Sequence, residues 1–142
     1  MGYKFLEHTA DLKVSVEEKS LEGAFISAAL AMRQAIAENI KVNGTSSRII
    51  ASEGRDLEDL LYKFLEEFLF LLDAENLLLA EIEDLEISGD EKTGYNLSAK
   101  ILVDKASNYQ FSNDVKAITF NDMFVKDDKK NNKAKLQFVL DV

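Results

Sequence analysis

The 142-residue chain contains no cysteine, no proline and a single histidine. The lack of cysteine excludes disulfide bonds, a thiolate nucleophile, cysteine-based zinc sites and a Cys–His catalytic pair. The longest apolar run, FLFLL at Phe68–Leu72, is far shorter than the roughly 20 residues that span a bilayer. The first residues, MGYKFLEH, lack the charged and apolar regions of a signal peptide. We therefore expect a soluble, cytoplasmic protein.

Basic residues are outnumbered by acidic ones, with 17 Lys and Arg against 26 Asp and Glu and a formal net charge of −9. An acidic surface repels the phosphate backbone, whereas domains that bind nucleic acids are usually basic. We therefore expect neither direct nucleic-acid binding nor membrane binding. A cation, or a basic surface on a partner protein, suits this charge better.

Common catalytic and nucleotide-binding motifs are also missing. The chain has no G-x-x-x-x-G-K-[ST] loop, no G-x-G-x-x-G and no H-E-x-x-H. A Ser-His-Asp triad stays open in principle, because His8 and several Ser and Asp residues are available. Nothing in the sequence resembles the nucleophile elbow that would support such a triad.

Apolar residues recur with helical spacing in two segments, which predicts two amphipathic helices. The first runs from Ser20 to about Glu38 and the second from Asp56 to about Asp73, with Ser20 and Asp56 as N-caps. Strand patterns occupy most of the remainder: Tyr3–Ser20 with an interruption, Ser46–Glu53, Asp84–Ser88, Tyr95–Asp104, Val115–Asp127 and Ala134–Val142. The turn-rich segment GDEKTG predicts a hairpin between two of these strands.

These elements predict an α+β fold in two layers. We expect a mostly antiparallel β-sheet with two amphipathic helices packed on one face. Because neither proline nor a Gly/Ser-rich linker divides the chain, residues 1–142 are expected to form a single domain. The order strand–helix–strand–helix–strands gives only a weak hint of internal repetition.

The first strand pattern is interrupted at HTAD, residues 8–11. Before it the bulky residues are odd-numbered (Tyr3, Phe5), and after it the apolar residues are even-numbered (Leu12, Val14). Since strand side chains alternate with period two, this change of phase predicts an inserted residue, a bulge or a bend. The interruption contains the only histidine and an aspartate.

The two ends of the chain carry the carboxylates of greatest interest. Asp11 closes the interruption, and Asp141 immediately precedes Val142 with its main-chain carboxylate. A side-chain and a main-chain carboxylate in adjacent residues could chelate a hard cation such as Mg²⁺ or Ca²⁺. If the first and last strands are neighbours, Asp11 completes a three-carboxylate cluster. Alternatively, Asp141 is simply solvated, Asp11 is a turn residue, and His8 is hydrogen-bonded at a strand end.

Three stretches resemble the archease family, lie in the family's order and span nearly the whole chain. They are FLEHTAD with SLEGAFISAALAM, then EGRDLEDLLYKFLEEFLFLLDAE, and finally VKAITFNDM with the terminal FVLDV. One departure is Asn121, where members often have histidine. The resemblance implies an archease-like fold and an accessory protein for the RtcB-type RNA ligase. That ligase joins tRNA halves and other cleaved RNAs with GTP and divalent metal, through a guanylylated histidine of its own.

The resemblance further implies a role and a site. An archease promotes guanylylation and multiple turnover of the ligase without joining RNA itself, so we expect no enzymatic activity. Family members bind a divalent ion, typically calcium, although magnesium or manganese is possible here. The ligands would be Asp11, Asp141 and Val142.

Three further residues are weaker candidates. His8 is expected to support the metal ligands through hydrogen bonds. Lys116 and Thr119 are expected either to support the site or to contact the ligase. Two other functions remain open: a chaperone or modulator of an RNA methyltransferase, and a metal-dependent hydrolase that uses Asp11, His8 and Asp141.

Overall fold

In the computed structural model, which describes residues 2–6 and 11–142, helices alternate with strands early in the chain and strands follow the second helix. Within these residues there are seven strands, two α-helices and two short 3₁₀ turns. In chain order the strands and α-helices are β1 Gly2–Leu6, β2 Asp11–Glu18, α1 Leu21–Ile36, β3 Ser46–Gly54, α2 Leu57–Glu75, β4 Leu77–Asp90, β5 Gly94–Lys105, β6 Ala117–Asp128 and β7 Lys133–Asp141.

Both predicted helices are confirmed, together with their N-caps. The Ser20 hydroxyl accepts a hydrogen bond from Gly23 N at 3.0 Å, and Asp56 Oδ1 accepts one from Asp59 N at 2.8 Å. Each cap satisfies a backbone N–H that has no partner inside the helix. Helix α2 ends at Glu75 and is followed by the C-cap Asn76, whose left-handed backbone (φ 56°) stops the helix.

The strands form two antiparallel sheets rather than one. The four-stranded sheet has the order β1-β2-β7-β6, and the three-stranded sheet has the order β3-β5-β4. The predicted hairpin around GDEKTG is confirmed as the β4–β5 connection. The α+β class is therefore confirmed, but the division into two sheets was not predicted. It arises because β7 pairs with β2 on one side and with β6 on the other, and neither β6 nor β7 pairs with β5.

The hydrophobic core lies where the two helices meet both sheets. Helix α1 packs against β2, β7 and β4, and α2 packs against β3, β6 and β4. The fully buried Phe64 of α2 has its ring centroid 5.7 Å from that of Phe25 and 5.0 Å from that of Phe68. Burying a side chain of this size stabilises the fold by about 1.5–3 kcal/mol. Within the described residues, neither helix combines the length and hydrophobicity that crossing a membrane requires.

The start of the chain corrects one prediction. Strands β1 and β2 are antiparallel neighbours, with Phe5 opposite Val14 and Leu6 opposite Lys13. The two strands therefore run in opposite directions, so the interpretation as a bulge or bend within one strand is wrong. Two separate strands show the same change of phase because each keeps its own alternation of faces. Residues 7–10, including His8, lie outside the described part of the chain.

Candidate functional site

The strand register brings Asp11 and Asp141 together at the end of the four-stranded sheet. Strands β2 and β7 are antiparallel neighbours, and Asp11 of β2 lies directly opposite Asp141 of β7. Directly opposed residues have Cβ atoms about 4.5–5.5 Å apart and project from the same face. Both aspartates are half-buried, as is Val142. We call Asp11, Asp141 and Val142 the acidic tip.

The acidic tip lies on the side of the sheet that faces away from the helices. The residues that alternate with the aspartates, such as Val14 and Phe138, are buried in the shared core. Because successive strand residues point to opposite faces, the odd-numbered Asp11 and Asp141 project outward. The two carboxylates therefore lie on the outer face of the sheet and not in the shared core.

Two like charges directly opposite each other destabilise a strand pair unless an opposite charge or donor compensates them. Within the described residues, no group of three or more His, Asp or Glu side chains could hold a metal ion. The acidic tip supplies two side-chain carboxylates as possible metal ligands. The main-chain oxygens of Val142 are the next possible ligands along the chain. This is an all-oxygen donor set of the kind that Ca²⁺, Mg²⁺ and Mn²⁺ prefer.

A third strand fixes the position of Asp141. Ala117 of β6 lies opposite Asp141 on the side away from β2, and Lys116 N donates a hydrogen bond to Asp141 O at 2.7 Å. The Lys116 side chain is exposed. The predicted candidate Lys116 is therefore joined to the acidic tip through its main chain.

Strand β6 is interrupted beside the acidic tip by a large bulge. Thr119 pairs with Val139 but Phe124 pairs with Gln137, so residues 120–123 face a single residue of β7. The Thr119 hydroxyl accepts a hydrogen bond from Asn121 N at 3.1 Å, and Gln137 Nε2 donates one to Asp122 O at 2.8 Å. Asp122 has a left-handed backbone (φ 58°). The predicted candidate Thr119 thus shapes the bulge, and Asn121 is exposed on it.

The bulge reaches toward β2 and toward helix α2. Asp122 Oδ2 lies 3.2 Å from the ammonium group of Lys13, which is opposite Val139 on the outer face. The ring of Phe120 stacks on Tyr62 with centroids 4.3 Å apart. Burial, and then the negative charge of Glu66, raises the pKa of the Tyr62 hydroxyl. The bulge therefore contacts both the strand that carries Asp11 and the helix that supports β6.

Sequence reasoning missed Lys13, Asp122 and the bulge. The sequence does contain a pattern that indicates the bulge: the apolar residues that are buried in β6 change from even-numbered at Ile118 to odd-numbered at Val125. The same kind of phase change was noticed at residues 8–11. Of the predicted site residues, the structure brings Asp11 and Asp141 together beside Val142, and places Lys116 and Thr119 on β6 or at its start; His8 lies outside the described residues.

Comparison with known proteins gives a consistent match over the whole chain. The model of the Archease protein family (MTH1598/TM1083) matches residues 3–142. Protein archease of Pyrococcus abyssi is 39% identical over 126 residues, which is 87% of each chain. Protein archease of Methanosarcina barkeri is 32% identical over 142 residues, which is 99% of this chain and 95% of that protein. The solution structure of Methanobacterium thermoautotrophicum protein 1598 has a TM-score of 0.78 at 27% identity, with 99% of both chains covered.

Proposed function

The chain belongs to the archease family, and on that premise we propose that it is a protein cofactor of an RtcB-type RNA ligase in tRNA splicing or RNA repair. It promotes the GTP-dependent guanylylation of the ligase and its multiple turnover, and it catalyses no reaction itself. It acts in the cytoplasm and contacts the ligase rather than the RNA. The net charge of −9 supports this choice of partner, because a ligase that binds GTP and RNA must present positive surfaces.

The observation that carries the proposal is the opposition of Asp11 and Asp141 across β2 and β7. Asp11, Asp141 and a main-chain oxygen of Val142 would hold a divalent ion, with calcium first and magnesium or manganese as the alternatives. Bound there, the ion would supply the positive charge that offsets the two opposed carboxylates. These residues offer fewer oxygens than the six to eight that Ca²⁺ takes, so a partner could complete the site.

The surrounding residues hold the acidic tip in place. Lys116 N, 2.7 Å from Asp141 O, fixes the strand end that carries one ligand. Thr119 holds the start of the bulge through its hydrogen bond from Asn121 N. His8, three residues before Asp11, would orient the Asp11 carboxylate by hydrogen bonding. These residues therefore position the tip and do not take part in a covalent step.

The mechanism is a shift in the ligase's conformational population. The acidic tip enters the ligase near its nucleotide and metal site and binds the conformation that is competent for guanylylation. Such binding changes an equilibrium only by as much as the tip prefers that conformation over the others. A tenfold shift requires a preference of about 1.4 kcal/mol, which a few charged contacts can provide.

A ligation time course tests the proposal. It uses a matched RtcB-type ligase in limiting amount with GTP, Mn²⁺ and cleaved RNA, with and without this protein. We expect many turnovers per ligase with the native chain and about one without it. Asp141→Asn and Asp11→Asn should abolish the stimulation while leaving the chain folded. Isothermal titration with Ca²⁺ alone should show that both substitutions also weaken metal binding.

Glu86→Gln is the matched control, because Glu86 is exposed on β4 and the substitution removes the same charge elsewhere. It should stimulate the ligase as the native chain does. If the native protein had no effect on turnover, the cofactor role would be wrong. Turnover of a phosphoester by the protein alone would instead favour the hydrolase, and suppression of methyltransferase aggregation would favour the chaperone.

A further inference from the structure

An open cleft separates the edge strands of the two sheets. Strand β3 is at the edge of the three-stranded sheet and β6 is at the edge of the four-stranded sheet. Helix α2 packs against both strands and presents its exposed side between them. The cleft has a volume of about 770 Å³ and is lined by Ala51–Glu53, by residues of α2 between Lys63 and Asp73, and by Lys116–Ile118. We call it the edge cleft.

The charges that line the edge cleft are mostly negative. Its carboxylates are Glu53, Glu66, Glu67 and Asp73. None of them has a Lys or Arg nitrogen within 4.0 Å among residues 2–6 and 11–142. Two lysines also line the cleft. The ammonium group of Lys63 lies 3.4 Å from the buried carboxylate of Asp59, and the exposed Lys116 lies just before β6, so four carboxylates face two lysines. The cleft therefore complements a positively charged occupant.

Two uncharged groups in the edge cleft also lack partners. The Phe70 side chain is 59% exposed in the middle of α2, although an aromatic ring of this size usually contributes to a core or an interface. Ser52 lines the wall on β3 and is only 8% exposed, yet its hydroxyl has no hydrogen-bond partner in the described part of the chain. Buried polar groups normally have such a partner. Because the Ser52 hydroxyl oxygen is itself covered by the protein, the exposed Phe70 ring is the uncharged group that an occupant of the cleft can contact.

The open edge of β3 is better suited to pairing with another strand than that of β6. Strand β3 pairs with β5 in unbroken register from Ser46 to Gly54. In β6 the register shifts between Thr119 and Phe124, and Val125 N is already bonded to a carboxylate oxygen of Glu58 at 2.9 Å. From Lys63 to Asp73 the helix floor is about 15 Å long, which accommodates about five residues of extended chain.

We propose that the edge cleft binds a basic, extended segment of a partner protein, which adds as a strand to β3. An apolar side chain of the segment packs on Phe70, and Lys or Arg side chains on either side meet Glu66 and Glu67. Main-chain hydrogen bonds supply affinity in this mode of recognition, and the side chains supply specificity. The proposal goes beyond the cofactor role, because it requires neither a metal at the acidic tip nor the ligase.

A peptide selection tests the proposal. Random dodecapeptides displayed on phage are selected on the native chain, and enriched peptides are synthesised for affinity measurements by fluorescence anisotropy. We expect sequences that alternate Lys or Arg with apolar residues. Phe70→Ser and the double change Glu66→Gln/Glu67→Gln should each weaken their binding about tenfold or more. In amide NMR spectra, the peptides should shift the signals of Ala51–Glu53.

Exposed residues outside the edge cleft provide matched controls. Phe111→Ser removes another exposed ring, and Asp84→Asn/Glu86→Gln removes two exposed carboxylates of β4. Neither should change the affinity, and all variants should keep native amide spectra. The proposal is overturned if no peptides are enriched, if the enriched peptides carry no positive charge, or if the cleft variants bind them normally. A dimer that requires Phe70 would assign the cleft to a second copy of the chain and would also overturn it.

Discussion

Carboxylates in two regions of the molecule are held in opposite ways. At the end of β5, the buried Asp104 accepts hydrogen bonds from the Tyr109 hydroxyl, from Thr45 Oγ1 at 2.7 Å and from Lys105 N at 2.9 Å. At the acidic tip, Asp141 faces another carboxylate, Asp11, across the sheet. In the first arrangement three donors surround one carboxylate, whereas in the second two carboxylates are directly opposed in the strand register.

The difference separates carboxylates that stabilise the fold from those that are candidates for binding. The carboxylate of Asp59 belongs with Asp104, because it is buried and accepts a hydrogen bond from Arg55 N at 2.9 Å. Removing such an acceptor leaves its donors without a partner and destabilises the protein. Removing one member of an opposed pair relieves a repulsion instead. Stability measurements should therefore separate the two classes before any activity is measured.

The largest expected loss of stability comes from replacing Asp104. Asp104→Ala leaves the Tyr109 hydroxyl and the Thr45 hydroxyl without their shared acceptor, and both hold the segment before β3 against the end of β5. We expect Tm to fall by about 5–10 °C. Differential scanning calorimetry would measure the change. Asp84→Ala, at an exposed position on β4, is the control and should shift Tm by about 2 °C at most. A similarly small shift for Asp104→Ala would mean that Asp104 is not a structural carboxylate, and the contrast with the acidic tip would be wrong.

A smaller effect on the stability of the fold is expected from a change in pH. The Tyr109 hydroxyl holds the pKa of Asp104 below its usual value, and Arg55 N does the same for Asp59. A carboxyl group with a lowered folded-state pKa stabilises the fold above its unfolded-state pKa of about 3.9. That contribution is lost as the pH falls through the folded-state pKa. The native chain should thus lose its advantage over Asp104→Asn only in strongly acidic solution.

Urea unfolding of the native chain and of Asp104→Asn at several pH values would test the direction of this pH dependence. The difference between their midpoints should stay constant from pH 7 to about 5 and should shrink below about pH 4. Asn resembles the protonated carboxyl group, so the two proteins converge when the native Asp104 takes up a proton. A difference that persisted unchanged at pH 3 would mean that the charge of Asp104 does not stabilise the fold.

The sequence allowed the local features to be predicted but not those that depend on distant partners. Ser20 and Asp56 could be predicted as N-caps from residue type and position, because the backbone N–H that each one bonds is only three residues further on. The role of Asp104 was missed because its donor Thr45 is 59 residues away in the chain. The position of Asp141 beside Asp11 depended on β2 and β7 being neighbours, which apolar periodicity cannot specify.

Changes of strand phase were informative but ambiguous. The change before Asp11 separates two antiparallel strands, whereas the change between Ile118 and Val125 accompanies a bulge within one strand. Both have the same pattern, because period-two alternation records only that a strand was interrupted. The family resemblance did identify Asp11 and Asp141 as a pair. It could not indicate that Lys13 and Asp122 form an ion pair beside them.

The smallest expected effect on stability is at the acidic tip, and it should have the opposite sign. In buffer with a chelator and no divalent cation, Asp141→Asn removes the like-charge opposition to Asp11. The free energy of unfolding should therefore be unchanged or higher by up to about 0.5 kcal/mol. Urea unfolding at pH 7 would measure it, with Glu86→Gln as the control for losing one negative charge. A loss of more than about 1 kcal/mol would place Asp141 with Asp59 and Asp104 as a structural carboxylate. A stabilising change, combined with loss of ligase stimulation, would mean that the pair is retained for binding at the expense of stability; a neutral change with the same loss would mean that the pair serves binding without a measurable stability cost.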